Sequence, residues 1–142
     1  LVLYEPPVLV GEHSDDNLAA RMEARLEAGQ RQDAMRLFIE ENGSVSDVAR
    51  LPWWPEEANL HLTETVIRES YEVEAFDLSD VPEIAVPTTL LTGEQSPDHL
   101  RAGITRLNNH LTKSRLIEME DVGHVATEST PDKLASIIKS NI

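Results

Sequence analysis

The closing third of the chain alternates in a way that leaves few folds open. A β-branched and apolar run, Ile84-Ala-Val-Pro-Thr-Thr-Leu-Leu-Thr92, leads through Gly93 and the loop Glu94-Gln-Ser-Pro97 into a stretch with Leu100, Ile104, Leu107 and Leu111 on one helical face. A second short strand, Arg115-Leu-Ile-Glu-Met-Glu120, follows, and a last helix opens at Thr130-Pro131-Asp132 and turns Leu134, Ile137 and Ile138 inward. Strand, helix, strand, helix in this order predicts an α/β fold with a parallel sheet. Between the last strand and the last helix lies Asp121-Val-Gly-His-Val125. His124 is thereby expected on a glycine-turned loop beyond the carboxyl end of a strand, where open α/β sheets do their chemistry.

The remainder reads as an opening strand and a long helical middle, without internal repeats. Leu1-Val-Leu-Tyr4 is strand-like and is halted by Glu5-Pro6-Pro7, because proline donates no ladder hydrogen bond. From Ser14, a candidate cap followed by Asp15 and Asp16, the pattern turns helical, with Leu18, Ala19, Met22 and Leu26 on one face and Gly29 as the stop. A second helix is expected over about Arg31 to Asn42, burying Ala34, Leu37 and Phe38 and ending at Gly43. Leu51-Pro-Trp-Trp-Pro55 breaks the pattern, and a third helix is expected from Glu56 to about Val73 with Leu60, Ile67 and Tyr71 on one side. The expected organisation is residues 1–12 as a core strand with its exit loop, 13–78 as a helical lid, and 79–142 as the rest of the core.

Composition removes several classes of function. The length suits one domain with a modest core. A net charge of −14 with only Lys113, Lys133 and Lys139 as lysines argues against a nucleic-acid partner, whose binding rests on basic contacts to phosphate. No apolar run approaches the roughly 20 residues that span a bilayer, so no membrane partner is expected. Without cysteine there is no disulfide framework, thiol nucleophile or cysteine zinc site, which suits a cytoplasmic location. No targeting segment is visible ahead of the first strand, and an N-terminal truncation is the simplest expectation. No glycine-rich phosphate loop occurs, and no cofactor is implied.

Leu-Tyr-Glu-Pro-Pro, a helical insertion, Val-Pro-Thr-Thr-Leu-Leu-Thr-Gly-Glu, Gly-His and a final Pro-Asp-Lys-Leu-Ala helix follow one another in an order that resembles the C-terminal half of the α/β-hydrolases. The resemblance covers nearly the whole chain and rests on the order, since a lone Gly-His is weak. It implies that the three strands are the sixth, seventh and eighth of the hydrolase sheet, and that residues about 13 to 78 are a cap inserted after the sixth. It also exposes a gap: no Gly-x-Ser-x-Gly occurs in the chain, and that motif is how this fold presents its nucleophile.

His124 is the expected general base, because an imidazole titrates near neutrality and can take and return a proton; its bland alternative is a surface loop histidine. His13, His61, His99 and His110 are scattered and lack ligand spacing, and no metal site is expected. A carboxylate must orient the base and stabilise its charged form. Many relatives supply an aspartate in the loop after the seventh strand, as Gly-x-x-Asp; here Gly93-Glu-Gln-Ser96 has serine there, with Asp98 two residues on. Others, haloalkane dehalogenases among them, place an acid at the end of the sixth strand, where Glu5 stands. Glu5 is preferred, since an apolar strand running into two prolines is an odd place for a merely solvated carboxylate. Asp98 remains the second candidate, although the first turn of a helix favours negative charge in any case. Trp53 and Trp54 are candidate substrate-binding walls of the lid, with closure of a small helical core as an equal alternative.

The reading that results is the C-terminal portion of a hydrolase cleaving an ester or similar acyl bond of a small-molecule substrate by a nucleophile–His–acid triad. The nucleophile and oxyanion hole would lie in a missing N-terminal half, so these 142 residues alone should be inactive, and the open edge of the sheet should favour self-association, such as a homodimer. Two alternatives stand beside it. One is a hydrolase in which another residue replaces serine, and the other is a non-catalytic ligand-binding or interaction protein on the same fold.

Overall fold

A computed structural model of the protein describes residues 1–10, 17–42, 48–82 and 84–141. The chain divides into two compact units, Leu1–Gly11 with Phe76–Ile142, and Glu12–Ala75.

The first unit is built on three parallel strands, β1 (Val2–Tyr4), β2 (Thr88–Gly93) and β3 (Ser114–Met119), hydrogen-bonded in the order β1-β2-β3. Val2 pairs with Thr89 and Tyr4 with Leu91; Thr88 pairs with Ser114 and Gly93 with Met119. Every residue of β2 is buried, as expected of a central strand covered on both faces. The strand starts at Thr88 rather than Ile84: Pro87 can donate nothing to the ladder, and Val86 before it is exposed.

Successive side chains along these strands point to opposite faces, and each face has its own core. Leu90, with Leu3 and Leu116 at its edge, packs with Val8, Leu78, Ile104, Leu107 and Leu111. These include the inward residues of the first-unit helix Asp98–His110, written α4 below. Leu91 and Met119, with Val2, Tyr4 and Ile117, pack with Val122, Ala126 and Leu134 on the other face. Leu134 comes from a helix at Pro131–Lys139, α6, with proline at its first turn. Full burial of each such side chain contributes about 1.5–3 kcal/mol, so the two faces carry most of the unit's stability. Gly103 of α4 is required by close approach, since a Cβ there would lie 2.1 Å from the Val8 carbonyl oxygen.

One element was not foreseen, a single helical turn at Ala126–Ser129, α5. It stops short of α6 because Thr130 precedes a proline, which disfavours helical backbone, and Thr130 is accordingly extended in φ at −143°.

The second unit holds α1 (Leu18–Glu27), α2 (Arg31–Asn42) and α3 (Thr63–Ala75). Met22, Ala34, Leu37 and Ile67 form its core, with Leu18, Leu26, Phe38 and Val66 partly buried against it. Gly29, at φ 76°, closes α1 in the left-handed conformation that glycine adopts without strain. The expected Ser14 cap and the Gly43 stop lie outside the described residues; the amide of Ala19, in the first turn of α1, instead donates to Glu74 Oε1 at 2.8 Å.

The third helix begins seven residues later than Glu56. Residues before it form turns and a 3-10 segment, Leu60–Leu62, and the buried Thr63 hydroxyl donates to the Leu60 carbonyl at 2.6 Å where α3 starts. Tyr71 shares a helical face with Ile67, but its ring reaches the surface and its hydroxyl donates to Glu23 at 2.6 Å. Among the described residues, no helix is long and apolar enough to cross a membrane.

Candidate functional site

At the carboxyl end of β1 the chain turns sharply. Glu5 has φ 39°, a left-handed conformation that costs a non-glycine residue about 1–2 kcal/mol. Its amide still bonds to the Leu91 carbonyl at 3.0 Å, so the turn redirects the side chain without breaking the sheet. The result is a carboxylate with no solvent-exposed side-chain surface, pointing across the ends of β2 and β3.

Both of its oxygens are engaged. Oε1 accepts from the Thr92 hydroxyl at 2.7 Å and from the Gly93 amide at 2.9 Å, and Oε2 meets His124 Nδ1 at 2.7 Å. Burial by itself would push the Glu5 carboxyl up; the bond to His124, then Ser96, Thr92 and Gly93, outweigh it and hold the group at about 2. The Ser96 hydroxyl is itself buried and makes no hydrogen bond of ordinary length and angle. An ionised carboxylate only accepts, so the proton between Glu5 and His124 sits on Nδ1. In the neutral ring this leaves Nε2 as a free acceptor, and about a third of the His124 side chain is exposed.

The loop that carries His124 is stitched to the loop after β2 and to the end of β1. Gln95 N donates to the Val122 carbonyl at 2.8 Å, Asp121 N to Glu94 Oε2 at 3.0 Å, and the Tyr4 hydroxyl to the Gly123 carbonyl at 2.5 Å. Gly93 makes this approach possible, since a Cβ there would stand 2.2 Å from the Val122 oxygen and 2.8 Å from Ser96 Oγ.

Of the residues singled out from sequence, Glu5 and His124 are brought together across 119 positions of chain. Asp98 is exposed in the first turn of α4, where it acts electrostatically on Arg101, while Nδ1 of His124 is occupied by Glu5. Trp53 and Trp54 stand edge to face, with ring centres 6.4 Å apart. Trp54 is buried with Met35 and Val48, and Trp53 packs half-buried against the same cluster. Tyr4, Thr92 and Ser96 were not anticipated as members of the site.

Parallel strands with helices on both faces of the sheet, a buried acid at the end of one strand and a histidine on the loop after another fit the α/β-hydrolase fold. Solved structures agree. An α/β-hydrolase from Sphaerobacter thermophilus is similar over 97% of this chain and 56% of its own, at 24% identity and a TM-score of 0.72. An esterase from Exiguobacterium antarcticum is similar over 99% of this chain and 56% of its own, at 21% identity and a TM-score of 0.72. An α/β-hydrolase from a Medee basin deep-sea metagenome gives 96%, 53%, 17% identity and a TM-score of 0.69. The chain thus spans just over half the length of these proteins, as fits a C-terminal portion of the fold. No protein-family model and no curated protein matches it.

Proposed function

We propose that the chain is the C-terminal part of a serine hydrolase that cleaves esters or similar acyl bonds, with Glu5 and His124 as the acid and base of its triad. The observation that carries this reading is the 2.7 Å contact between His124 Nδ1 and a buried, ionised Glu5. Glu5 fixes the tautomer and the ring plane; Nε2 then takes the proton of a nucleophile, and the buried negative charge stabilises the imidazolium that results. Returning that proton to the leaving alcohol completes acylation, and repeating the exchange with water completes deacylation.

The nucleophile and the oxyanion donors belong to sequence upstream of Leu1, in the part of the fold that the matched hydrolases possess and this chain does not span. The helical unit serves as the cap, with Trp53 and Trp54 contributing apolar wall to the acyl or alcohol pocket. The full-length protein, assayed with short-chain p-nitrophenyl esters, should lose nearly all kcat in His124→Ala while keeping its melting temperature. Unchanged kcat in a folded variant would remove His124 from the mechanism.

A further inference from the structure

We propose that Tyr4 is a positioning residue for His124, its hydroxyl clamping the peptide that bears the imidazole while the neighbouring Glu5 holds the ring. The inference rests on the triad reading of Glu5 and His124. Tyr4 Oη donates to the Gly123 carbonyl oxygen at 2.5 Å. That oxygen and the His124 amide nitrogen belong to one planar peptide unit, so fixing the oxygen fixes the start of the histidine residue. The other ties of this loop fall short of that unit: Gln95 bonds the Val122 carbonyl, and Glu94 bonds the Asp121 amide.

The clamp is stiff because its ring is packed. Tyr4 lies against the cluster of Leu91, Met119, Val122, Ala126 and Leu134, so the hydroxyl is delivered from a fixed point on β1. Tyr4 and Glu5 are consecutive, and the same strand end therefore grips both the backbone and the side chain of the histidine. A hydrogen bond of 2.7 Å tolerates little drift, and displacement of a catalytic group by about 1 Å can cost on the order of a hundredfold in rate.

Tyr4→Phe in the full-length protein keeps the packed ring and removes the hydroxyl that bonds the Gly123 carbonyl. NMR of the native protein should show a slowly exchanging Nδ1 proton on His124, absent in Glu5→Gln, and a Glu5 titration midpoint of about 2. Tyr4→Phe should remain folded, exchange that proton at least tenfold faster and raise the Glu5 midpoint toward 4.5, with kcat lower by about tenfold at unchanged KM. An unchanged proton and an unchanged midpoint would overturn the clamp, as would a variant that unfolds, since positioning predicts an intact fold. The outcomes separate from those of the hydrolase reading: an inactive protein with a Tyr4-dependent pair sinks the triad, whereas an active one with a Tyr4-independent pair sinks only the clamp.

Discussion

Two glutamates, one in each unit, titrate at about 2 for different physical reasons. Glu64, on α3, is held down chiefly by a two-pronged bond from Arg31, and both side chains remain well exposed at 49% and 39%. Glu5, at the end of β1, starts from the opposite sign, because burial favours its neutral form and four fixed neighbours must outweigh that. A surface pair of long side chains is screened by salt and replaceable by water. A buried carboxylate whose donors are a strand amide, a packed hydroxyl and an imidazole is preorganised, and that is the condition under which a charge can do work on a reaction. The same low midpoint therefore marks a surface ornament in one unit and a candidate site in the other.

The largest test of that contrast is Glu5→Gln in the full-length protein. Glutamine keeps an acceptor for Thr92 and Gly93 but cannot stabilise an imidazolium, and kcat for ester hydrolysis should fall by roughly 10³–10⁴ with the fold retained. A loss smaller than tenfold would reduce Glu5 to a structural carboxylate. Gly93→Ala comes next. Its Cβ would meet the Val122 carbonyl, a backbone atom that cannot swing aside, so the His124 loop must shift; chemical denaturation should register about 3 kcal/mol of lost stability. Native-like stability would mean that the two loops are not held as tightly as the 2.2 Å approach requires.

Acid unfolding sharpens the comparison further. Because the folded midpoint of Glu5 lies below its ordinary 4.5, the unfolded chain binds the extra proton between the two, and stability rises with pH across that window. The Glu5 contribution is fully present above about 4.5 and lost as pH falls toward 2, on the order of 3 kcal/mol. Glu5→Gln should flatten that slope; an unaltered slope would show that the carboxyl is not held down in the fold. Smallest is the response of Glu64. In 1 M NaCl its midpoint should climb toward 4.5 while that of Glu5 stays near 2, and Glu64→Gln should leave the melting temperature almost unchanged. Equal salt sensitivity of the two would erase the distinction between them.

The sheet unit was the more legible in sequence, and the reason is physical. Buried parallel strands write themselves as short apolar runs, and amphipathic helices between them repeat every three or four residues, so β2, α4, β3 and α6 could be placed within a few positions. Glu5 could be singled out because a carboxylate between an apolar strand and two prolines has no ordinary reason to be there. Thr92, Ser96 and Tyr4 could not, since hydroxyls converging on one group from separate strand ends leave no spacing behind. The late start of α3 was hidden for a related reason: Leu60 and Ile67 present the same periodicity whether the preceding turn is α or 3-10, and the Thr63 hydroxyl's bond to the Leu60 carbonyl leaves no periodicity behind. Nor does adjacency of two tryptophans tell a pocket wall from the Met35, Val48 and Trp54 cluster in which they pack.

The most direct measurement is labelling of the full-length protein with a fluorophosphonate, which reacts preferentially with an activated serine and needs no knowledge of the substrate, followed by mapping of the labelled residue. A Glu5–His124 relay predicts one labelled serine upstream of Leu1 in the native protein, and loss of labelling in His124→Ala with the fold intact. Equal labelling of native and His124→Ala proteins, or none in the native one, would contradict it.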